Sequence, residues 1–160
     1  MVVIASLAVS ACGFTPLYAT RSNNGGVVTA LAAISVQAPS DRVNRALRIA
    51  LEDQLRANTL VAPQYALALS SVLSEADVAI EQDTEVTRTN LTLRTSFVLR
   101  DMETNASLYD AKAFAIVAYN RVPSEFANII AERDAQERVA SKVEEEIRRK
   151  LVIYFELQGG

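Results

Sequence analysis

Histidine is absent from this 160-residue chain, and cysteine occurs once, at position 12. An intramolecular disulfide is therefore impossible, and a Cys/His zinc site or a Ser-His-Asp triad is ruled out within one chain. A surplus of positive charge is missing too. The formal net charge is -3 and the pI about 5.1, so the whole-chain footprint of a DNA- or RNA-binding protein is not there and no nucleic-acid partner is expected. No GxGxxG, P-loop or metal-ligand cluster appears. No carboxylate pair has a spacing that singles it out for acid–base work. A Ser-Lys dyad stays open on composition alone. The expectation is a protein that is not an enzyme and uses no cofactor or metal.

Charge is also missing from residues 1–20. Within them Val2, Val3, Ile4, Ala5, Leu7, Ala8 and Val9 form a compact apolar run. The run is too short to span a bilayer, which takes about 20 apolar residues, but it suits a signal-peptide h-region. It ends in Val9-Ser10-Ala11-Cys12, which resembles a bacterial lipobox. In such proteins the cysteine thiol is acylated, with palmitate among the chains, and the preceding segment is removed. The alternative is a buried N-terminal strand with a chance cysteine. No Lys or Arg precedes Cys12, so the native start is expected upstream, or trimmed. Residues 1–11 are thus expected to be a removed signal peptide, and residues 12–26 a lipidated tether ending in Thr20-Arg21-Ser22-Asn23-Asn24-Gly25-Gly26. Gly13 follows the cysteine where an inner-membrane retention signal would carry aspartate, which favours the outer membrane.

What is present beyond that point suits one domain, residues 27–157, in a chain with 50% hydrophobic residues. Residues 28–36 predict a strand. Ser40 or Asp41 predicts an N-cap, and Val43, Leu47, Leu51 and Leu55 make an apolar stripe on the helix that follows. Residues 65–73 alternate, with a slip before Val78 and Ile80 that predicts a bulge. Residues 89–100 alternate most clearly, with Leu91, Leu93, Phe97 and Leu99 on one face. A turn near Thr104-Asn105 leads to a last strand at 108–119. Pro123-Ser124-Glu125 opens a helix of about thirty residues, whose ridge runs Ala127, Ala131, Ala135, Val139, Val143, Ile147 and Leu151. Three i,i+4 pairs, Glu144/Arg148, Glu145/Arg149 and Glu146/Lys150, predict a solvated surface. The order β-α-β-β-β-α predicts an α+β two-layer sandwich, with two helices on one face of a four-stranded, mostly antiparallel sheet.

Two stretches carry a resemblance. Cys12-Gly13-Phe14 with Pro16-Leu17-Tyr18 is similar to the mature N-terminus of LptE, the LPS-assembly lipoprotein family, in its alphaproteobacterial form. Asn120-Arg121-Val122-Pro123-Ser124-Glu125-Phe126-Ala127, then Ala131-Glu132-Arg133-Asp134-Ala135 and a long helix, resembles that family's C-terminal half. The resemblance implies a lipid-anchored outer-membrane protein that plugs the LptD β-barrel, supports its assembly, assists lipopolysaccharide transport to the cell surface and can bind lipopolysaccharide. The competing expectation is an auxiliary lipoprotein of an envelope phospholipid-transport system.

Arg88, Arg94, Arg100, Lys112 and Arg121 are the candidate contacts for lipid phosphates, because a guanidinium can bond phosphate bidentately. Their plainer role is a solvated sheet face whose cations deter aggregation. Arg88 follows the acidic loop Glu81-Gln82-Asp83-Thr84-Glu85, whose tip could hold a further contact. Tyr109, Tyr119 and Phe126 are either interface anchors or core. Tyr154-Phe155 either ends the core stripe or forms a docking patch.

Overall fold

The computed structural model describes residues 24–56, 61–80 and 87–158. Cys12, the lipobox and the loop 81–85 lie outside the described residues. The elements are α1 (Asn24–Ala32), β1 (Ile34–Gln37), α2 (Arg42–Leu55), β2 (Tyr65–Ile80), β3 (Thr87–Asp101), β4 (Ser107–Arg121) and α3 (Glu125–Gln158). The strands form one sheet in the order β1-β2-β3-β4. β1 pairs parallel to β2, and the other neighbours pair antiparallel. This is the α+β sandwich with a mostly antiparallel sheet that the pattern of elements predicts.

The difference lies at the start. The segment expected as a strand over 28–36 divides at Ala33, and its first part is the helix α1. Ala30, Leu31 and Ala32 are strong helix formers without β-branching, which outweighs Val27 and Val28. Ala33 donates to the Thr29 carbonyl at 3.1 Å, and its own carbonyl accepts from Gln64 N–H at 2.9 Å, so one residue closes the helix and begins the sheet. Leu31, Ala32 and Ala33 are buried, and α1 packs against α2 and α3. Asn24, Gly25 and Gly26, read as the end of the tether, stand in its first turn.

Local chemistry explains the other elements. Asp41 is the N-cap of α2, and its Oδ1 accepts the Asn44 N–H at 3.1 Å. The Asn44 side-chain amide donates to Asp41 Oδ2 at 2.6 Å. The hydrogen bonds from Asn44, foremost that of its side chain, hold the Asp41 carboxyl below its ordinary range. Val43, Leu47, Leu51 and Leu55 are buried, as their spacing requires. The slip expected in β2 is a bulge between Asp77 and Ala79. At the β3–β4 turn Asp101 Oδ1 accepts the N–H of Glu103 at 2.9 Å and of Thr104 at 2.7 Å. Asn105 takes φ 58 there, a left-handed conformation that asparagine tolerates.

The core lies between the helix layer and one face of the sheet. Leu67, Leu91, Leu93, Phe97 and Leu99 from the sheet meet Leu47 and Leu51 of α2 and Val139, Val143, Ile147 and Leu151 of α3 in one cluster. Each such side chain contributes about 1.5–3 kcal/mol when fully buried. α3 has 34 residues, about 51 Å at 1.5 Å per residue, and β4 has 15, about 50 Å at the strand rise. The helix is therefore long enough to follow the whole strand.

One expectation fails on α3. Glu144 is buried at 4% exposure, not part of a solvated surface. It falls between Ala140, Val143 and Ile147 on the inward stripe, so helical geometry carries it under. Arg148 Nε donates to Glu144 Oε1 at 3.1 Å. Lys150 pairs with Glu146 at 3.3 Å. Arg149 also pairs with Glu146, one turn away, rather than with Glu145.

Candidate functional site

All three helices join the inner face, and the other face of the sheet has no cover among the described residues. Strand alternation decides what that face displays. From β2 it carries Ser70, Val72 and Ser74. From β3 it carries Arg88, Arg94 and Arg100, and from β4 Asp110, Lys112, Phe114 and Ile116. The pairing places Val72, Arg94 and Phe114 in one cross-strand row. Phe114 is 65% exposed and Val72 65%. Lys112 lies opposite Ser96, one step diagonally from Arg94.

The structure therefore brings together four of the five candidate cations, Arg88, Arg94, Arg100 and Lys112, on one face. Among the described residues no carboxylate pairs with Arg94, Arg100 or Lys112. Arg100 Nη1 donates to the Asn105 carbonyl at 3.4 Å. The chain is acidic overall, so this basic face is a local reversal of sign. Basic groups interleaved with exposed apolar side chains suit an amphiphile or a polar wall with apolar spots.

Arg121 stands apart. It lines a cleft of about 230 Å³ at the end of the sheet with Asp77, Thr87, Val122, Pro123 and Asn128. The Asn128 side chain closes that corner, accepting the Val122 N–H and donating to the Val122 carbonyl, each at 2.8 Å. Nearby, the Tyr119 hydroxyl donates to Glu75 Oε2 at 3.4 Å. Burial, then the carboxylates of Glu75 and Glu132, push the Tyr119 hydroxyl pKa up.

The aromatic candidates divide. Tyr119 is core, at 7% exposure. Tyr109 is half-buried and packs between Phe97 and Tyr154, with centroids 6.0 and 4.9 Å away. Tyr154 and Phe155 end the core stripe, with Phe155 against Tyr65 at 5.4 Å. Phe126 is exposed at 75%, beside Ile129 and Ile130 on the first turns of α3. Sequence reasoning missed Phe114, Ile116 and Val72 as surface residues. Both alternating sets of β4 are largely apolar, as in a strand buried on both sides, so periodicity gives no signal for the outward one.

No helix among the described residues is long and apolar enough to cross a membrane, and no metal-holding cluster is found among them. A family model described as LptE, lipopolysaccharide-assembly, matches residues 31–151. The chain belongs to the LptE family. The matched span takes in all four strands, α2 and most of α3, so the open basic face is part of this LptE fold. A protein described as a lipoprotein from Caulobacter crescentus CB15 superposes with a TM-score of 0.71 at 24% identity, covering 83% of this chain and 97% of that one. A minor lipoprotein from Acinetobacter baumannii gives a TM-score of 0.50 at 17% identity, covering 75% and 88%. At these identities the likeness shows the shared fold. No functionally curated protein matches the sequence.

Proposed function

We propose that this LptE-family chain is a lipoprotein of the Gram-negative outer membrane, anchored through Cys12 on the periplasmic side. There it plugs an LptD-like β-barrel and assists delivery of lipopolysaccharide to the surface. The observation that carries the reading is the family match across residues 31–151. The fold supports it. A two-layer domain with one open face of serines, arginines and scattered apolar side chains suits the polar lumen of a wide barrel. In this reading Arg88, Arg94, Arg100 and Lys112 are the groups offered to lipid phosphates, and Phe114 and Val72 the apolar ground between them. Arg121 belongs to a separate corner. The reading assigns no catalysis, cofactor or metal.

Affinity purification from detergent-solubilised envelopes tests it. Recovery with a large β-barrel protein in a fixed ratio is the expected result. Recovery from the outer membrane without any such barrel overturns the plug assignment.

A further inference from the structure

The helix layer covers the sheet unevenly. α2 has 14 residues, about 21 Å at the helix rise, under half the length of β3 or β4. Its start is fixed by Arg42, which pairs with Glu137 of α3 at 3.5 Å. Its end, Leu55, must return through a short connection to Tyr65, where β2 begins, so α2 runs towards that end of the sheet. The first three turns of α3, residues 125–136, therefore lack a helical neighbour among the described residues on the flank where α2 stands further along. Beneath them β2 has a free edge, since β1 pairs only with Tyr65–Ala68. The result is a trough in line with α2, about 18 Å long.

Helical spacing puts Phe126, Ile129 and Gln136 on its α3 wall, and strand alternation puts Leu73, Glu75 and Asp77 on its floor. Ile129 is 39% exposed. The polar groups are mainly acceptors. Among the described residues no cation pairs with Glu75, Asp77, Glu125 or Glu132, and the guanidinium groups nearby are those of Arg121 and Arg133. Gln136 Nε2 donates to Glu132 Oε1 at 2.9 Å, but Gln136 Oε1 is buried without a donor. Asn44 Oδ1 is buried without a donor too, in a side chain 3% exposed. The Arg42–Glu137 pair brings the first turn of α2 to the level of Gln136, so both orphan oxygens lie at the α2 end of the trough. Helical side chains tilt towards the N-terminus, which aims Asn44 into it.

We propose that this trough receives a basic amphipathic helix of a partner protein, about three turns long. A helix fits because the trough continues the track of α2 and is bounded as α2 is, by α3 on one side and the sheet beneath. The apolar side of the incoming helix meets Phe126, Ile129 and Leu73. Its lysines or arginines, which donate and never accept, meet carboxylates and orphan oxygens that need donors. The trough lies on the helix side of the sheet, away from the open outer face, so the proposal neither needs nor excludes the barrel reading.

Calorimetric titration of the full chain carrying Cys12→Ser, which needs no detergent, tests it. The probe is a synthetic peptide of about 14 residues, lysine with leucine at i, i+3, i+4 and i+7 spacing. It should bind, and the amides of residues 125–136 should gain hydrogen-exchange protection. Glu75→Gln with Glu132→Gln should weaken binding about fivefold or more, the scale of two exposed ion pairs. Ile129→Lys should weaken it about tenfold or more. Asp53→Asn with Glu156→Gln removes the same charge from exposed positions elsewhere and should leave binding unchanged. Far-UV circular dichroism should be the same for all of them. A peptide that does not bind, a shuffled peptide of equal composition that binds as tightly, or an affinity indifferent to the trough exchanges overturns the proposal. Binding of phosphatidylglycerol vesicles in place of the peptide, lost in Ile129→Lys, would assign the flank to a lipid surface and overturn it. Self-association lost in Ile129→Lys would assign it to a second copy and overturn it equally.

Discussion

Tyr109 and Tyr154 stack with ring centroids 4.9 Å apart and planes 19° from parallel, tying β4 to the end of α3. Tyr154 also meets Phe155 edge-on at 5.2 Å, and Phe155 reaches Tyr65 at the start of β2. The aromatic chain reaches from β4 to β2 and fastens the last turns of α3 to the sheet. Tyr154→Ala should cost about 2–3 kcal/mol, somewhat less than for a fully buried aromatic. Urea unfolding followed by far-UV circular dichroism measures it. A loss under about 0.5 kcal/mol would show that the stack is incidental.

The α2 cap links stability to acid. Hydrogen bonds from Asn44 lower the Asp41 pKa below its ordinary 3.8. Its contribution is therefore present above 3.8 and lost as pH falls through the lowered value. Asp41→Ala should cost about 1 kcal/mol at neutral pH. The gap from the native chain should close on acidification below 3.8. A gap independent of pH would mean that the carboxylate charge plays no part.

Glu144 has the opposite sign. Burial, only partly offset by Arg148, raises its pKa above the ordinary 4.5. The folded chain then holds this proton more tightly than the unfolded chain. The stability tied to it is complete below 4.5 and is lost as pH rises through the raised value. Glu144→Gln should unfold at higher denaturant than the native chain at pH 7, with the difference shrinking towards pH 4. Destabilisation at pH 7 would show that the Arg148 ion pair outweighs the cost of burying the charge.

The open face should separate binding from folding. Arg94→Gln with Arg100→Gln should change stability by no more than about 0.5 kcal/mol per site, since both side chains are exposed. Affinity for lipopolysaccharide aggregates should fall about tenfold or more, the scale of a lost charge-assisted hydrogen bond. Dephosphorylated lipopolysaccharide should bind both forms alike. Equal binding of native and variant protein to the phosphorylated form would remove these arginines from the ligand site.

Cys12→Ser should abolish acylation and release the protein from membranes after cell lysis and high-salt washing. Intact mass spectrometry of the native mature protein should find Cys12 at its N-terminus, carrying acyl chains. An unmodified thiol on an unprocessed chain in cells would refute the anchor.

Much of the fold was legible because its determinants are local. The alternation of Leu91, Leu93, Phe97 and Leu99, the four-residue spacing of Leu47, Leu51 and Leu55, the Asp41 cap and the slip near Val78 each depend on neighbours in sequence. These patterns fix element type and the side of each element that turns inward. The candidate cations of β3 could be grouped in the same way, since Arg94 and Arg100 share parity along one strand.

Tertiary structure decided what periodicity left equal. Residues 24–36 carry no clear period, so packing of Leu31 and Ala32 against the other helices, with helix-favouring alanines, set the division into α1 and β1. β4 is apolar in both alternating sets, and only the placement of α3 over one of them exposes Phe114 and Ile116. Arg121 parts from Lys112 because odd and even positions of one strand face opposite sides. Glu144 is charged, yet its place on the stripe outweighs its chemistry. Sequence alone determined the periods. Which face of each period meets another element is a non-local choice, made by strand pairing and helix docking between segments distant in the chain.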